Sequence, residues 1–196
     1  MKTPIVICLT TLFVQSFTLS AANQKRAARL EAAFQKTWDL VNSDRFLIRF
    51  YMATPSAQTF IATPSEGANI SINPQRAYLR VNDSLVNGKL PYYGQGYWKG
   101  KSGEDTLSFH HILFSRTVKI LQGGNKKAIA YQLSLLTTNN IYFLHLDIQY
   151  DGTCYLYLSD KRRSPISYTG QLFPLPSSKE KISHGQSRQD SGQVSQ

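Results

Sequence analysis

His145 and Asp147 stand two residues apart in Ile141 to Tyr150, a run of alternating polarity that reads as a β-strand, so their side chains leave one face together with Gln149. An imidazole beside a carboxylate can relay a proton or orient a polar ligand. The next run, Thr153 to Ser159, adds Tyr155 and Tyr157, rings with an apolar body and a polar tip. A second group gathers in Leu90-Pro91-Tyr92-Tyr93-Gly94-Gln95-Gly96-Tyr97, where Pro91 fixes φ and two glycines permit a tight corner. Its rings form either a binding lip or a plug closing one end of a curved sheet, and the plug is the commoner use of aromatics. Arg163, just before Ser164-Pro165, could grip a ligand carboxylate in bidentate fashion or pair with Asp160. The candidate ligand-binding residues are therefore His145, Asp147, Tyr155, Tyr157, Tyr92, Tyr93, Tyr97 and Arg163.

Other chemistry is weaker. Gly96 to Ser102 imitates a phosphate-binding loop, but that loop needs four residues between its glycines, and here Gly96 leaves three before Gly100 while Gly94 leaves five. His110 and His111 are adjacent, so in a strand they point to opposite faces, and adding His145 gives a poor zinc set without a placed carboxylate. No metal and no cofactor are expected. Cys154 alternates in phase with Leu156 and Leu158, the pattern of a small core residue rather than a nucleophile. There is no G-x-S-x-G or H-E-x-x-H, and a glycosidase pair would have to be assembled from the scattered Asp83, Glu104, Asp105, Asp147 and Asp151.

The elements that must hold these residues begin with a helix. From Asn23 to Val41 the residues Ala27, Leu30, Phe34, Trp38 and Val41 recur at three and four, and Asn42-Ser43-Asp44 ends the pattern. Strand alternation follows at Phe46, Ile48, Phe50 and Met52, then in Asn69 to Ile72, Gln75 to Asn82, Thr106 to Leu113, Thr117 to Gln122, Lys127 to Thr137, Ile141 to Tyr150, Thr153 to Ser159 and Pro165 to Phe173. Turns are expected at Asn73-Pro74, Asn87-Gly88, Gly123-Gly124-Asn125, Asn139-Asn140 and Asp151-Gly152. The fold class is α+β: an N-terminal amphipathic helix packed on a curved, mostly antiparallel β-sheet or partly open barrel.

One register is sharply specified. A two-residue Asp151-Gly152 loop would put His145 and Asp147 on the face of Cys154, Leu156 and Leu158. A three-residue Tyr150-Asp151-Gly152 loop instead sets Ile148 opposite Cys154, Leu146 opposite Leu156 and Leu144 opposite Leu158. That gathers every apolar residue on one side and His145, Asp147, Tyr155 and Tyr157 on the other. The apolar face selects the longer loop, with Gly152 in the left-handed position that ends it.

Residues 1–22 read as a signal peptide: Lys2, an apolar run from Pro4 to Leu19, and a small-residue cleavage site at Ser20-Ala21-Ala22. The run is too short to span a bilayer. Cys8 lies inside it rather than at the cleavage point, so the mature chain is expected periplasmic or secreted, not lipid-anchored, and Cys154 is left without a disulfide partner. With Lys2 gone, 21 of the 22 Lys and Arg face 12 Asp and Glu, about +9. These charges are spread along the chain, and only Lys161-Arg162-Arg163 forms a run, so nucleic acid is not an expected partner. One domain spans 23–176, and the polar stretch 177–196 reads as a disordered tail.

The Leu90–Tyr97 segment and Arg163-Ser164-Pro165-Ile166-Ser167-Tyr168-Thr169-Gly170 resemble the two signature segments of an uncharacterised family of exported Bacteroidetes proteins, domain of unknown function 4251, over Asp44 to Leu172. The resemblance implies a small envelope-directed protein and no established activity. Two features depart from the family pattern: the lipid-accepting cysteine is missing, and Gln95-Gly96 replaces an expected basic residue and alanine. The function expected is thus a non-enzymatic binding or interaction module of the envelope, taking a protein, glycan or small apolar molecule. The alternative is a hydrolase whose active site is assembled from dispersed residues.

Overall fold

The structure is a computed structural model that describes residues 5–56, 69–93, 105–123 and 126–175, with side chains described from residue 23. Gly94 to Tyr97 and the tail 177–196 lie outside the described residues. The order is α1 (Ile5–Asn42), β1 (Arg45–Pro55), β2 (Ile70–Ser71), β3 (Tyr78–Asn82), β4 (Leu85–Tyr92), β5 (Asp105–Gly123), β6 (Lys126–Leu136), β7 (Ile141–Gln149), β8 (Thr153–Asp160) and β9 (Ile166–Pro174). Among the described residues no helix is long and apolar enough to cross a membrane.

Every pairing is antiparallel, and β1 closes the sheet. It pairs β3 from Arg45 to Arg49 and β9 along its length, from Phe46↔Pro174 to Pro55↔Ile166, so β1 and β3 to β9 form a closed barrel of eight strands. The barrel is more closed than the partly open form expected. The short β2 takes over beside β1 at Met52 and Ala53, where β3 has ended. An eight-stranded barrel has an interior just wide enough for side chains to fill. Phe46, Ile48, Phe50, Leu79, Leu90, Phe109, Tyr131, Leu133 and Tyr168 fill this one and are fully buried.

Two bulges adjust which side chains point inward. In β1 the register moves between Phe50↔Gly170 and Met52↔Thr169, so the extra residue Tyr51 turns Met52 partly outward and sends Ala53 into the core in its place. Gly170 allows the close approach: a Cβ there would lie 2.5 Å from the Arg49 carbonyl oxygen and 2.7 Å from the Phe50 ring. In β5, three steps from Phe109 to Ile112 match two steps of β4, with His111 at φ 51° and its N–H donating to Asn87 Oδ1 at 3.0 Å. Thr106 to Leu113 and Thr117 to Gln122, expected as two strands, are therefore one bent strand.

Asn87-Gly88 is not a turn but the middle of β4, a strand the sequence reading did not anticipate. Gly88 serves close packing there, since a Cβ would lie 3.0 Å from Leu79 Cδ1 and 3.1 Å from Phe109 Cδ2. The β3–β4 turn is made instead by Asn82 to Leu85, with Asp83 at φ 55°.

Helix α1 ends at Asn42 as its sequence implies, with the Ser43 hydroxyl donating to Leu40 O at 2.7 Å and the Asp44 N–H to Val41 O at 3.2 Å. Its buried residues are Phe34, Thr37 and Val41, while Leu30 and Trp38 are only partly covered and Ala27 is exposed. The expected stripe thus docks later and one position round. Thr37 accounts for the rotation: its hydroxyl donates to Tyr150 O at 2.9 Å, anchoring the helix to the β7–β8 turn. A Lys127–Glu31 pair at 2.6 Å and the Lys127 ammonium 5.3 Å over the Phe34 ring fix it to the start of β6. Asp44, at φ 52°, joins the helix end to the barrel by meeting Arg116 at 2.7 Å and accepting from the Tyr131 hydroxyl at 3.0 Å.

Candidate functional site

The β7–β8 hairpin has the register the apolar face demands: Ile148↔Cys154, Leu146↔Leu156 and Leu144↔Leu158, with Gly152 at φ +82° and its N–H donating to Gln149 O at 2.9 Å. All six apolar residues are buried in the lumen. The pairs His145↔Tyr157 and Asp147↔Tyr155 consequently lie on the outer wall, which the helix leaves open because it docks at the end of the barrel where β6 begins.

Neighbouring strands complete this wall. Gln132↔His145 and Ser134↔Phe143 pair across β6 and β7, and Phe143↔Ser159 across β7 and β8. Together with Tyr157 these residues line a shallow groove of about 260 Å³. Phe143, Tyr155 and Tyr157 are 48%, 49% and 47% exposed, so three rings stand in water on one patch. His145 lies between two polar neighbours. Gln132 Nε2 is 3.3 Å from Nδ1, and Asp147 Oδ1 is 3.3 Å from Nε2, too far out of line to count as a hydrogen bond.

The structure brings together His145, Asp147, Tyr155 and Tyr157 and sets the other candidates apart. Tyr92 is 2% exposed, and its hydroxyl donates to Ser164 O at 2.9 Å. Its neighbour Tyr168 donates to Pro91 O at 2.8 Å, and the Arg163 guanidinium lies 5.2 Å over the Tyr92 ring. Tyr93 is partly buried against the core. The two signature segments thus close on each other at the barrel end opposite the helix, and Tyr92 is withdrawn from solvent rather than offered at a lip. Burial, followed by the nearby Tyr92 and Tyr93 hydroxyls, pushes the Tyr168 phenol well above the usual tyrosine range. Tyr97 lies outside the described residues.

Cys154 is a core residue. Burial first, then the Asp151 carboxylate, raises its thiol far above the usual range, and Sγ donates to Gly152 O at 3.3 Å. The sequence reading missed Phe143, Gln132, Ser134 and Ser159. Phe143 was within reach, because it shares parity with His145 and Asp147; Gln132 and Ser134 required the β6–β7 register as well. That register is set by the Thr137–Asn140 turn, where the Thr137 hydroxyl donates to Asn140 O at 2.8 Å.

No curated protein matches this chain. A crystal structure of a DUF4251 family protein from Bacteroides eggerthii is similar in fold, with a TM-score of 0.50 over 73% of this chain and 88% of that one, at 12% sequence identity. The sequence profile of Domain of unknown function (DUF4251) matches residues 28–172, beginning within α1 before its docked turns and ending in β9. The matched region therefore includes the helix half that caps the barrel, and the chain belongs to the DUF4251 family.

Proposed function

We propose that this is an exported envelope protein that binds its ligand without transforming it, and that the ligand is a neutral glycan seated on the outer face of β6, β7 and β8. The observation that carries this reading is the groove lined by Phe143 and Tyr157, both about half exposed, and by amide, imidazole and hydroxyl groups, with a third half-exposed ring, Tyr155, on the same face. The C–H face of a sugar ring lies flat on an aromatic ring while its hydroxyls need nearby polar partners, and Gln132, Asp147 and Ser159 share this face with the rings, Ser159 paired to Phe143 and Asp147 to Tyr155. An internal site for a small apolar molecule is opposed by the lumen, which Phe46, Phe50, Phe109, Tyr131 and Tyr168 fill. A hydrolase built on His145 would need a nucleophile or a second acid converging on the ring, and the side chains that face its nitrogens are Gln132 and Asp147. Export rests on the leader-like residues 1–22 and is checked by N-terminal sequencing of the secreted protein, expected to begin within a few residues of Asn23.

The binding test is a neutral-glycan array, followed by calorimetry on the glycans selected, for the parent and a Tyr155→Ser/Tyr157→Ser variant. Binding by the parent and a loss of about tenfold or more in the variant, at unchanged unfolding midpoint, is the expected result. A parent that selects no neutral glycan, or a variant that binds as the parent does, overturns the reading.

A further inference from the structure

The barrel collects on a different wall the cations that the sequence scatters. On the outer side of β1, β3 and β4, Tyr78 is flanked by Arg49 across one strand pairing and by Lys89 across the other. Arg80 follows two residues along β3, and Arg76 lies two residues before Tyr78 in the preceding turn, exposed like the others. Neighbouring strands stand about 4.8 Å apart and alternate residues about 6.7 Å apart, so Arg49, Lys89 and Arg80 surround one aromatic ring at these spacings. Arg45 continues the cluster but is held by Asp83 at 3.7 Å. Among the described residues Arg49, Arg76, Arg80 and Lys89 make no ion pair. Like charges on adjacent strands repel, so packing gives no reason to gather them. Two more rings, Tyr51 and Phe173, stand exposed on the same wall, with the Arg49 guanidinium 5.7 Å over Phe173.

We infer that this wall is a second binding surface, for an acidic polysaccharide carrying carboxylates or sulfates, with a sugar ring stacked on Tyr78 and its anionic groups met by Arg49, Arg80 and Lys89. Unpartnered positive charge calls for an anionic occupant. The convex wall of an eight-stranded barrel meets a flat bilayer along a narrow strip only, whereas a linear polymer can follow it. A single-stranded nucleic acid is bound along a cationic groove that tracks its backbone, whereas these cations stand around one ring on a convex wall.

The test measures binding of polygalacturonate and dextran sulfate to the full chain at low and high salt. Neutral dextran, single-stranded DNA and phosphatidylglycerol vesicles serve as comparisons. The parent should bind the two acidic polymers, and raising salt from about 50 to 300 mM should weaken binding about tenfold or more. Arg49→Ser/Arg80→Ser should weaken it by a similar factor at unchanged unfolding midpoint, both side chains being exposed. Lys161→Ser/Arg162→Ser removes the same formal charge from the one basic run in the sequence and should stay within about twofold of the parent. The Tyr155→Ser/Tyr157→Ser variant should also retain binding, which separates this surface from the aromatic groove. Absence of acidic-polymer binding, equal losses in the two basic variants, or equally tight binding of DNA or vesicles would each overturn the proposal.

Discussion

Replacing Gly152 by valine tests the hairpin that places His145, Asp147, Tyr155 and Tyr157 on the outer wall. Gly152 sits at φ +82°, a region that costs an ordinary L-residue about 1–2 kcal/mol and a β-branched one more. The space itself is tight but not closed: an added Cβ would lie 3.0 Å from the Gln171 amide nitrogen, the movable end of a side chain, and 3.5 Å from Leu172 Cβ. Relaxing φ would disturb three contacts that meet here. The Gly152 N–H donates to Gln149 O, and the Gly152 carbonyl accepts from Leu172 N–H at 2.9 Å and from Cys154 Sγ at 3.3 Å. Each is worth about 0.5–1.5 kcal/mol when lost. Gly152→Val should therefore destabilise by about 2–4 kcal/mol, and Gly152→Asn, which tolerates left-handed backbone, by less than about 1 kcal/mol. Urea titration followed by tyrosine and tryptophan fluorescence reads both. A valine variant within about 0.5 kcal/mol of the parent, or an asparagine variant as unstable as the valine one, would refute the three-residue turn as the device that sets the register.

Other outcomes follow from the same geometry. Phe34→Ala should cost about 3–5 kcal/mol because the ring is 4% exposed, whereas Trp38→Ala, partly solvated beside it, should cost about half as much in the same titration. Cys154 should resist a thiol reagent in the native protein and react only along the unfolding curve, and rapid native labelling would contradict its burial. Tyr131→Phe removes the hydroxyl that holds Asp44 and should cost about 1 kcal/mol in thermal unfolding, with binding to polygalacturonate unaltered.

What could be read from the sequence was local. The helix stop, the Asn73-Pro74 and Asp151-Gly152 turns and the β7–β8 register each depend on residues within a dozen positions of one another, where parity and turn chemistry act together. The errors came from contacts made at distance. Asn87-Gly88 has turn composition, but Gly88 answers to Leu79 and Phe109 on the two neighbouring strands. Met52 has core parity until the bulge at Tyr51, beside which Gly170 of β9 comes close to β1. Closure itself rests on pairing residues 46–55 with 166–174, and nothing in either segment alone announces the other. The buried Thr37 was missed because a hydroxyl on an apolar stripe reads as exposed until the Tyr150 carbonyl is known to face it.

The tyrosines divide between lumen and outer wall by strand parity rather than by residue type. Tyr92, Tyr131 and Tyr168 point into the lumen, and each ties its hydroxyl to a partner across the barrel: Ser164 O, Asp44 and Pro91 O. These rings hold the fold, and truncating them would remove core volume and strand a polar partner together. Tyr155 and Tyr157 occupy the alternate positions of β8, fill no core and are half in water. Their removal should leave stability within about 0.5 kcal/mol, as for surface positions in general. The closed barrel thereby separates two duties along a single strand. Inward residues carry the packing, so a binding defect caused by substitution of the exposed Tyr155, Tyr157, Arg49 or Arg80 at unchanged unfolding midpoint would be assigned to recognition.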